Sequence, residues 1–210
     1  MSTAGADAAG THPLRIVLTG GPGGGKTTAA DLFRREVGEE VVVVPEAATM
    51  LFAGGFPRPG EPPAQRSMQA AIFHVQRNLE DMQSALFPDR VLLCDRGTVD
   101  GGAFWPEGPD GFFASVGSTL EAELARYDAV IFFETAAIGG IPLEGGNRFR
   151  LESEQEAVDL DRRLRALWSQ HPQFFVVPHH PSFMRKITAG FAILESVLAQ
   201  RRPVGGTARP

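Results

Sequence analysis

The chain has 210 residues and a mass of 22.6 kDa, which is long enough for one domain with a core that needs no cross-link. Its net charge of −5 argues against broad attraction to nucleic acid, and its single cysteine, Cys94, excludes a disulfide within the chain. No apolar run is long enough to span a bilayer, and residues 1–12 show no secretory pattern. We therefore expect a cytoplasmic protein with a small-molecule partner, folded over 13–200 between disordered tails at 1–12 and 201–210.

The first predicted strand, residues 14–19, leads into a glycine-rich loop and then a helix over 29–37. The loop, Gly20–Thr27, reads G-G-P-G-G-G-K-T and fits the phosphate-binding pattern G-x-x-x-x-G-K-[ST]. Five of its eight residues are glycines, so the backbone can wrap closely around a polyphosphate. The candidate nucleotide-binding residues are Gly20, Gly21, Pro22, Gly23, Gly24, Gly25, Lys26, Thr27 and Thr28.

Two side chains of this loop carry specific roles. Lys26 is expected to reach the β- and γ-phosphates of a nucleoside triphosphate, and Thr27 to bind Mg²⁺. The helix that follows, with Gly38 as its stop, turns the positive end of its dipole toward the same anion. The loop therefore predicts ATP as the cofactor together with Mg²⁺, with GTP as an alternative nucleotide.

The second predicted strand, 41–45, leads into Glu46, where a carboxylate can act as general base toward an acceptor hydroxyl. Further on, apolar residues at helical spacing predict one long helix over 64–86. Its other face is polar and suits recognition of a planar ring, although a plain surface helix explains the same residues. Phe104 and Trp105, in a glycine-rich segment at 101–111, either stack on a substrate or cap the core. The candidate acceptor contacts are Arg58, Arg66, Gln69, Phe73, Gln76, Asp100 and Trp105.

The third predicted strand, 91–94, ends in a buried Cys94 and leads into Asp95 and Arg96. Ligands of open α/β sheets bind beyond the carboxyl ends of the strands, so Asp95 is expected near the phosphates. It fits the position of the acid that holds Mg²⁺. Arg96 either holds an anionic group in the site or forms a surface ion pair.

The fourth predicted strand, 129–133, ends at Glu134, and the fifth spans 174–177. Between them, a region at about 139–165 is expected to form a lid. Arg148 and Arg150 stand where phosphotransferase lids carry arginines that neutralise charge in the transition state. We therefore count both as candidate catalytic residues.

Two capping boxes predict helix starts. They begin at Ser118 and Ser153, and place the starts near Thr119 and Glu154. In the second of these helices Asp159 with Arg163 and Asp161 with Arg165 are spaced four apart, and are expected to pair on a solvated face. A last helix over about 182–200 is expected to turn five apolar side chains inward, namely Phe183, Ile187, Phe191, Leu194 and Leu198.

Several segments together resemble a known family. They read T-G-G-P-G-G-G-K-T-T, V-V-V-P-E-A-A-T, F-P-R, I-F-H-V-Q and C-D-R-G-T-V-D, and they are similar to the AAA-type ATP-binding domains grouped with bacterial ribosylnicotinamide kinase domains. The resemblance implies a three-layer α/β P-loop NTPase fold of the nucleoside and nucleotide kinase type, with a five-stranded parallel sheet in the order 2-3-1-4-5 and helices on both faces.

The chain is also similar to deoxynucleoside kinases. That resemblance implies that Glu46 acts as the base and that Arg96 assists the reaction. The chain has Asp95-Arg96-Gly97 where those enzymes have Glu-Arg-Ser.

Two functions follow from these residues. The first is an ATP- and Mg²⁺-dependent phosphotransferase acting on a small hydroxyl-bearing metabolite, a nucleoside or nucleotide before others, with Lys26, Glu46, Asp95 and Arg96 at its centre. The alternative is a regulatory ATP- or GTP-binding module, or an NTPase without a small-molecule acceptor. The acceptor and the oligomeric state cannot be predicted from these residues.

Overall fold

A five-stranded parallel sheet forms the centre of the protein, whose computed structural model describes residues 13–139 and 153–201. Its strands are β1 (Arg15–Thr19), β2 (Val41–Val44), β3 (Val91–Asp95), β4 (Ala129–Phe133) and β5 (Phe174–Val177). They pair in the order β2-β3-β1-β4-β5. All four pairings are parallel, so the carboxyl ends of the strands lie at one edge of the sheet. The α/β fold class and the strand order are confirmed.

Seven α-helices surround this sheet in the described part of the chain. They are α1 (Lys26–Val37), α2 (Ala47–Ala53), α3 (Pro62–Leu86), α4 (Pro109–Ser115), α5 (Leu120–Leu124), α6 (Glu154–Trp168) and α7 (Phe183–Arg201). None of the described helices is long and apolar enough to cross a membrane.

The side chains of the strands alternate between two cores, as the period of two in a strand requires. Val17, Cys94 and Phe132 face one core, which α3, α4 and α6 complete. Ile16 and Ile131 face the other, which α1 and α7 complete. The result is three layers with the sheet in the middle, as the sequence predicted.

Part of the apolar face of helix α3 is exposed to solvent, and part of its polar face is buried. Met82 and Leu86 are 49% and 61% exposed, whereas Gln69, Gln76 and Glu80 are buried. Gln76 and Glu80 have hydrogen-bond partners in the interior: Gln76 accepts from the Ala47 N–H at 3.0 Å, and Glu80 accepts from the hydroxyl of Tyr127 at 2.7 Å. The polar face predicted for substrate recognition is thus largely internal.

Three local predictions were wrong in detail. The segment 101–111, whose glycines and prolines predict an irregular loop, instead contains regular structure, since a 3₁₀ helix spans Thr98–Phe104 and α4 begins at Pro109. The cap of α5 is Thr119, whose hydroxyl accepts from the Ala122 N–H, because Ser118 donates to Glu123 instead. Helix α2 was not predicted at all, because its seven residues are too few for a periodic pattern. The capping box at Ser153, by contrast, is confirmed.

Candidate functional site

The P-loop, Gly20–Thr27, links β1 to α1 at the carboxyl edge of the sheet. Gly20 has φ 128°, and a Cβ there would lie 2.1 Å from the carbonyl oxygen of Phe133 in β4. Gly25 has φ 90° and precedes the first residue of α1 in a left-handed conformation. Only glycine adopts both positions without strain, so the composition of the loop follows from its shape.

Lys26 is folded back over this loop. Its ammonium donates hydrogen bonds to the carbonyl oxygens of Gly20 at 2.9 Å and Gly21 at 2.8 Å. Burial, and then the positive charge of Arg96, lower the pKa of Lys26 to about 7. An ammonium has three protons, so two bonds to the loop leave one donor for a phosphate. A bound polyphosphate would also favour the charged form of the lysine.

Asp95 and Thr27 form a pair beside Lys26. The Thr27 hydroxyl donates to Asp95 Oδ2 at 2.6 Å. The other oxygen, Oδ1, is buried and has no hydrogen-bond partner among the described residues. Burial, and then the negative charge of Glu46, raise the pKa of Asp95 to about 6. A buried carboxylate with one unsatisfied oxygen is set up to bind a positive group.

These two residues fit a Mg²⁺ ion. Hydroxyl and carboxylate oxygens are the ligands that Mg²⁺ takes from proteins, and here both stand next to the phosphate-binding loop. When bound, the ion would neutralise charge on the phosphates. Asp95 and Thr27 thus remain the candidate metal ligands, as predicted from the sequence.

Arg96 joins two carboxylates at the end of β3. Its Nε donates to Glu46 Oε1 at 2.5 Å and its Nη1 donates to Asp100 Oδ2 at 2.7 Å. Arg96 is also the one non-glycine residue with positive φ in the described part of the chain, at 68°. The ion pairs are largely buried, so they are not the surface ion pair considered for Arg96. A strained backbone at such a position is typical of functional sites.

Glu46 lies opposite this arginine, immediately before α2. Its second oxygen accepts from the Thr49 hydroxyl at 2.5 Å. Burial alone would raise the pKa of Glu46, but the charge of Arg96 and the hydrogen bond from Thr49 outweigh it and hold the pKa below the usual value. The carboxylate is therefore ionised at neutral pH, the state that a general base requires.

Asp100, a predicted acceptor contact, belongs to a buried hydrogen-bond network. Besides Arg96, it accepts from the Thr19 hydroxyl at 2.8 Å and the Trp168 indole N–H at 2.6 Å. Both of its oxygens are therefore used within the protein. The structure places Asp100 as a support for Arg96, and its direct contact with an acceptor stays a prediction.

Three other predicted acceptor contacts lie in the interior. Phe73 and Trp105 are 2% and 6% exposed, and both pack against Phe112 in the core. Gln76 accepts from the Ala47 N–H at 3.0 Å and donates to the carbonyl oxygen of Arg96. The contacts of these three side chains are with protein groups, so they support the residues of the site from the interior.

The remaining predicted contacts differ in exposure. Gln69 is 5% exposed, while Arg58 stacks over the ring of Phe52 at the surface. Arg66 forms an exposed ion pair with Glu107. The two predicted lid arginines, Arg148 and Arg150, lie outside the described residues.

Sequence reasoning missed two buried groups beside the P-loop. Asp161 of α6 accepts hydrogen bonds from the backbone N–H of Gly21 at 2.8 Å and of Thr135 at 2.9 Å. Lys186 of α7 donates to the carbonyl oxygen of Glu134, and burial lowers its pKa to about 8. The sequence pattern gave no signal for Lys186. It predicted that Asp161 pairs with Arg165, but Arg165 pairs with Glu134 at 3.1 Å.

Phe183 was predicted to face the core and does not. It is 44% exposed, and its ring edge would lie 2.8 Å from a Cβ placed at Gly25. An exposed aromatic ring thus stands next to the P-loop at the start of α7.

Comparison with known proteins gives a match to one family model. The model of an AAA domain family matches residues 15–183, which include the P-loop, Glu46, Asp95 and Arg96. A search of curated proteins found no match. A P-loop NTPase-type domain implies a nucleotide as ligand. The chain belongs to this AAA domain family.

Proposed function

We propose that the protein is an ATP- and Mg²⁺-dependent phosphotransferase acting on a small hydroxyl-bearing metabolite, with nucleosides and nucleotides as the first candidates. The observation that carries the proposal is the position of Glu46. Its carboxylate is largely buried, ionised and close enough to Lys26 and Asp95 for its charge to shift the pKa of both. A nucleotide-binding site alone has no need of this third charged group.

The chemistry assigns one role to each group. The third proton of Lys26 binds the transferring phosphate, and Glu46 accepts the proton of the acceptor hydroxyl as its oxygen attacks the γ-phosphorus. The bond between that phosphorus and the ADP oxygen breaks, so ADP leaves and a phosphorylated acceptor forms. Arg96 holds Glu46 in place until an acceptor arrives.

One observation favours the alternative of a regulatory nucleotide-binding module or an NTPase. Both oxygens of Glu46 are already engaged, by Arg96 at 2.5 Å and by Thr49 at 2.5 Å. These bonds occupy one lone pair on each oxygen and restrict the directions from which Glu46 can accept a proton. In the alternative, Glu46 only neutralises Arg96, and ATP or GTP is bound or hydrolysed without an acceptor.

An acceptor screen separates the two functions. ATP consumption is measured over nucleosides, nucleotides and related hydroxyl metabolites, with Lys26→Ala as the inactive control. The proposal expects an acceptor that raises turnover above the mutant. If no compound does so while the wild-type protein binds nucleotide, the binding-module alternative is correct. Calorimetry with ATP and GTP gives the nucleotide preference.

Glu46→Gln then tests the assigned base. We expect acceptor-dependent turnover to fall by about a hundredfold or more, the usual contribution of a general base. Nucleotide affinity should stay within about threefold, because a neutral amide replaces the acid without changing its size. Glu39→Gln, at an exposed position outside the site, serves as the matched control. Equal turnover of Glu46→Gln and wild type would remove Glu46 from the mechanism.

A further inference from the structure

The carboxylate of Asp161 lies directly against the P-loop. The residue is 2% exposed, and its Oδ1 accepts from the Gly21 N–H at 2.8 Å. A Cβ at Gly21 would lie 2.6 Å from this same oxygen, so a side chain at that position would push the carboxylate away. The close approach of the Asp161 carboxylate to the backbone therefore explains why residue 21 is a glycine.

The same carboxylate oxygen also holds the end of β4 to the loop. It accepts from the Thr135 N–H at 2.9 Å, and the Thr135 hydroxyl donates to the carbonyl oxygen of Pro22 at 2.5 Å. The carbonyl oxygen of Gly21 accepts from Lys26 at 2.8 Å. Side chains from α1, α6 and the β4 end thus bind three consecutive polar groups of the loop backbone.

This clasp, formed by Asp161 and Thr135 on Gly21 and Pro22, has a consequence for ligand binding. A glycine-rich loop is costly to order, because glycine has more conformational freedom to lose than any other residue. If the loop is ordered before the ligand arrives, binding no longer carries that cost. A loop that is held in place binds its anion more tightly than a free one.

We propose that Asp161 is a positioning residue that holds the first half of the P-loop in its binding shape and thereby raises the affinity for nucleotide. The Gly21 N–H is thereby assigned to the protein and not to the phosphates. The inference rests on the proposed nucleotide site, but it does not depend on the identity of the acceptor or on phosphoryl transfer.

Affinity for ADP, measured by calorimetry on the full chain, tests the role of Asp161. We expect Asp161→Ala to weaken ADP binding by about tenfold or more, because two hydrogen bonds to a charged group are lost. Asp161→Asn keeps an oxygen acceptor at the same place and should restore most of that affinity. A purely structural role predicts no such rescue in ADP affinity. Equal ADP affinity of Asp161→Ala and wild type would overturn the proposal.

Asp159 provides a matched control on the same helix. Its side chain is 50% exposed and pairs with Arg162 at 3.2 Å, away from the loop. Asp159→Ala is expected to change ADP affinity by less than about twofold. A loss equal to that of Asp161→Ala would mean that any change in α6 disturbs the site, and would contradict a specific role for Asp161.

Hydrogen exchange of the Gly21 amide tests the clasp in the wild-type protein, even if the alanine variant fails to fold. Without nucleotide, we expect this amide to exchange about a hundredfold more slowly than an unprotected one. Rapid exchange that becomes slow only when ADP is added would overturn the role of Asp161. Failure of the wild-type protein to bind any nucleotide would instead contradict the proposed function, so the two failures are distinguishable.

Discussion

Replacing Arg96 with alanine removes the cation that two buried carboxylates share. The side chains of Arg96, Glu46 and Asp100 are 15%, 19% and 6% exposed, and the two ion pairs measure 2.5 and 2.7 Å. Removing one partner of a buried ion pair costs about 3–5 kcal/mol, because the other is left without its opposite charge. We therefore expect Arg96→Ala to lower the free energy of unfolding by about 3–5 kcal/mol.

The backbone at this position offers an internal comparison. With φ at 68°, Arg96 adopts a conformation that costs a non-glycine residue about 1–2 kcal/mol. Arg96→Gly loses the same ion pairs as Arg96→Ala but is free of that strain. It should consequently be more stable than the alanine variant by about 1 kcal/mol, the reverse of the usual order.

Urea unfolding followed by circular dichroism measures both differences. The control is Arg162→Ala, whose side chain is 72% exposed and whose ion pair should contribute less than about 1 kcal/mol. The double variant Arg96→Ala/Glu46→Gln should lose less unfolding free energy than the sum of the losses of the two single variants. Equal losses for Arg96→Ala and Arg162→Ala, or strictly additive losses in the double variant, would contradict the stabilising role of the Arg96 ion pairs.

Three further predictions concern stability and its pH dependence. Burial raises the pKa of Asp95 from 3.8 to about 6, so its contribution to stability is fully present below about pH 4 and is lost as pH rises through about 6. The urea midpoint of Asp95→Asn should therefore exceed that of the wild type at about pH 8 and equal it at about pH 4. The variant should also lose Mg²⁺-dependent turnover. The same difference in midpoint at both pH values would contradict this prediction. Gly20→Ala should prevent folding or cost more than about 3 kcal/mol by calorimetry, since its Cβ would lie 2.1 Å from a carbonyl oxygen. Gly55→Ala, which also has positive φ but no neighbour within 4 Å, should cost only about 1 kcal/mol. Trp168→Phe removes the 2.6 Å hydrogen bond to Asp100 and should cost about 1.5–3 kcal/mol in urea unfolding, and a neutral effect would show that Asp100 needs no such donor.

The regular elements of the sheet could be predicted because their signals are local. All five strands fall within one residue of their predicted ends, and β4 and β5 coincide with them. Buried parallel strands are short apolar runs, and such runs stand out between helical patterns. The spacing of glycines, lysine and threonine in the P-loop is local in the same sense.

The partners of polar side chains could not be predicted in this way. Asp161 has an arginine four residues later and reads as a surface ion pair, yet it binds Gly21, 140 residues away. Trp105 offered substrate contact or core packing, and Phe73 offered substrate contact or a plain surface position. Both rings pack against Phe112 in the core. For Asp161 and Phe73 the deciding contact comes from a residue distant in the chain.

The sequence by itself therefore determined the parallel sheet, the phosphate-binding loop and the acids at the strand ends, because hydrophobic periodicity and glycine spacing act over a few residues. Only the tertiary structure decided what those acids contact. It set Glu46 against Arg96 and Asp95 against Thr27, because burial makes an unpaired polar group costly and the folded chain must supply the partner.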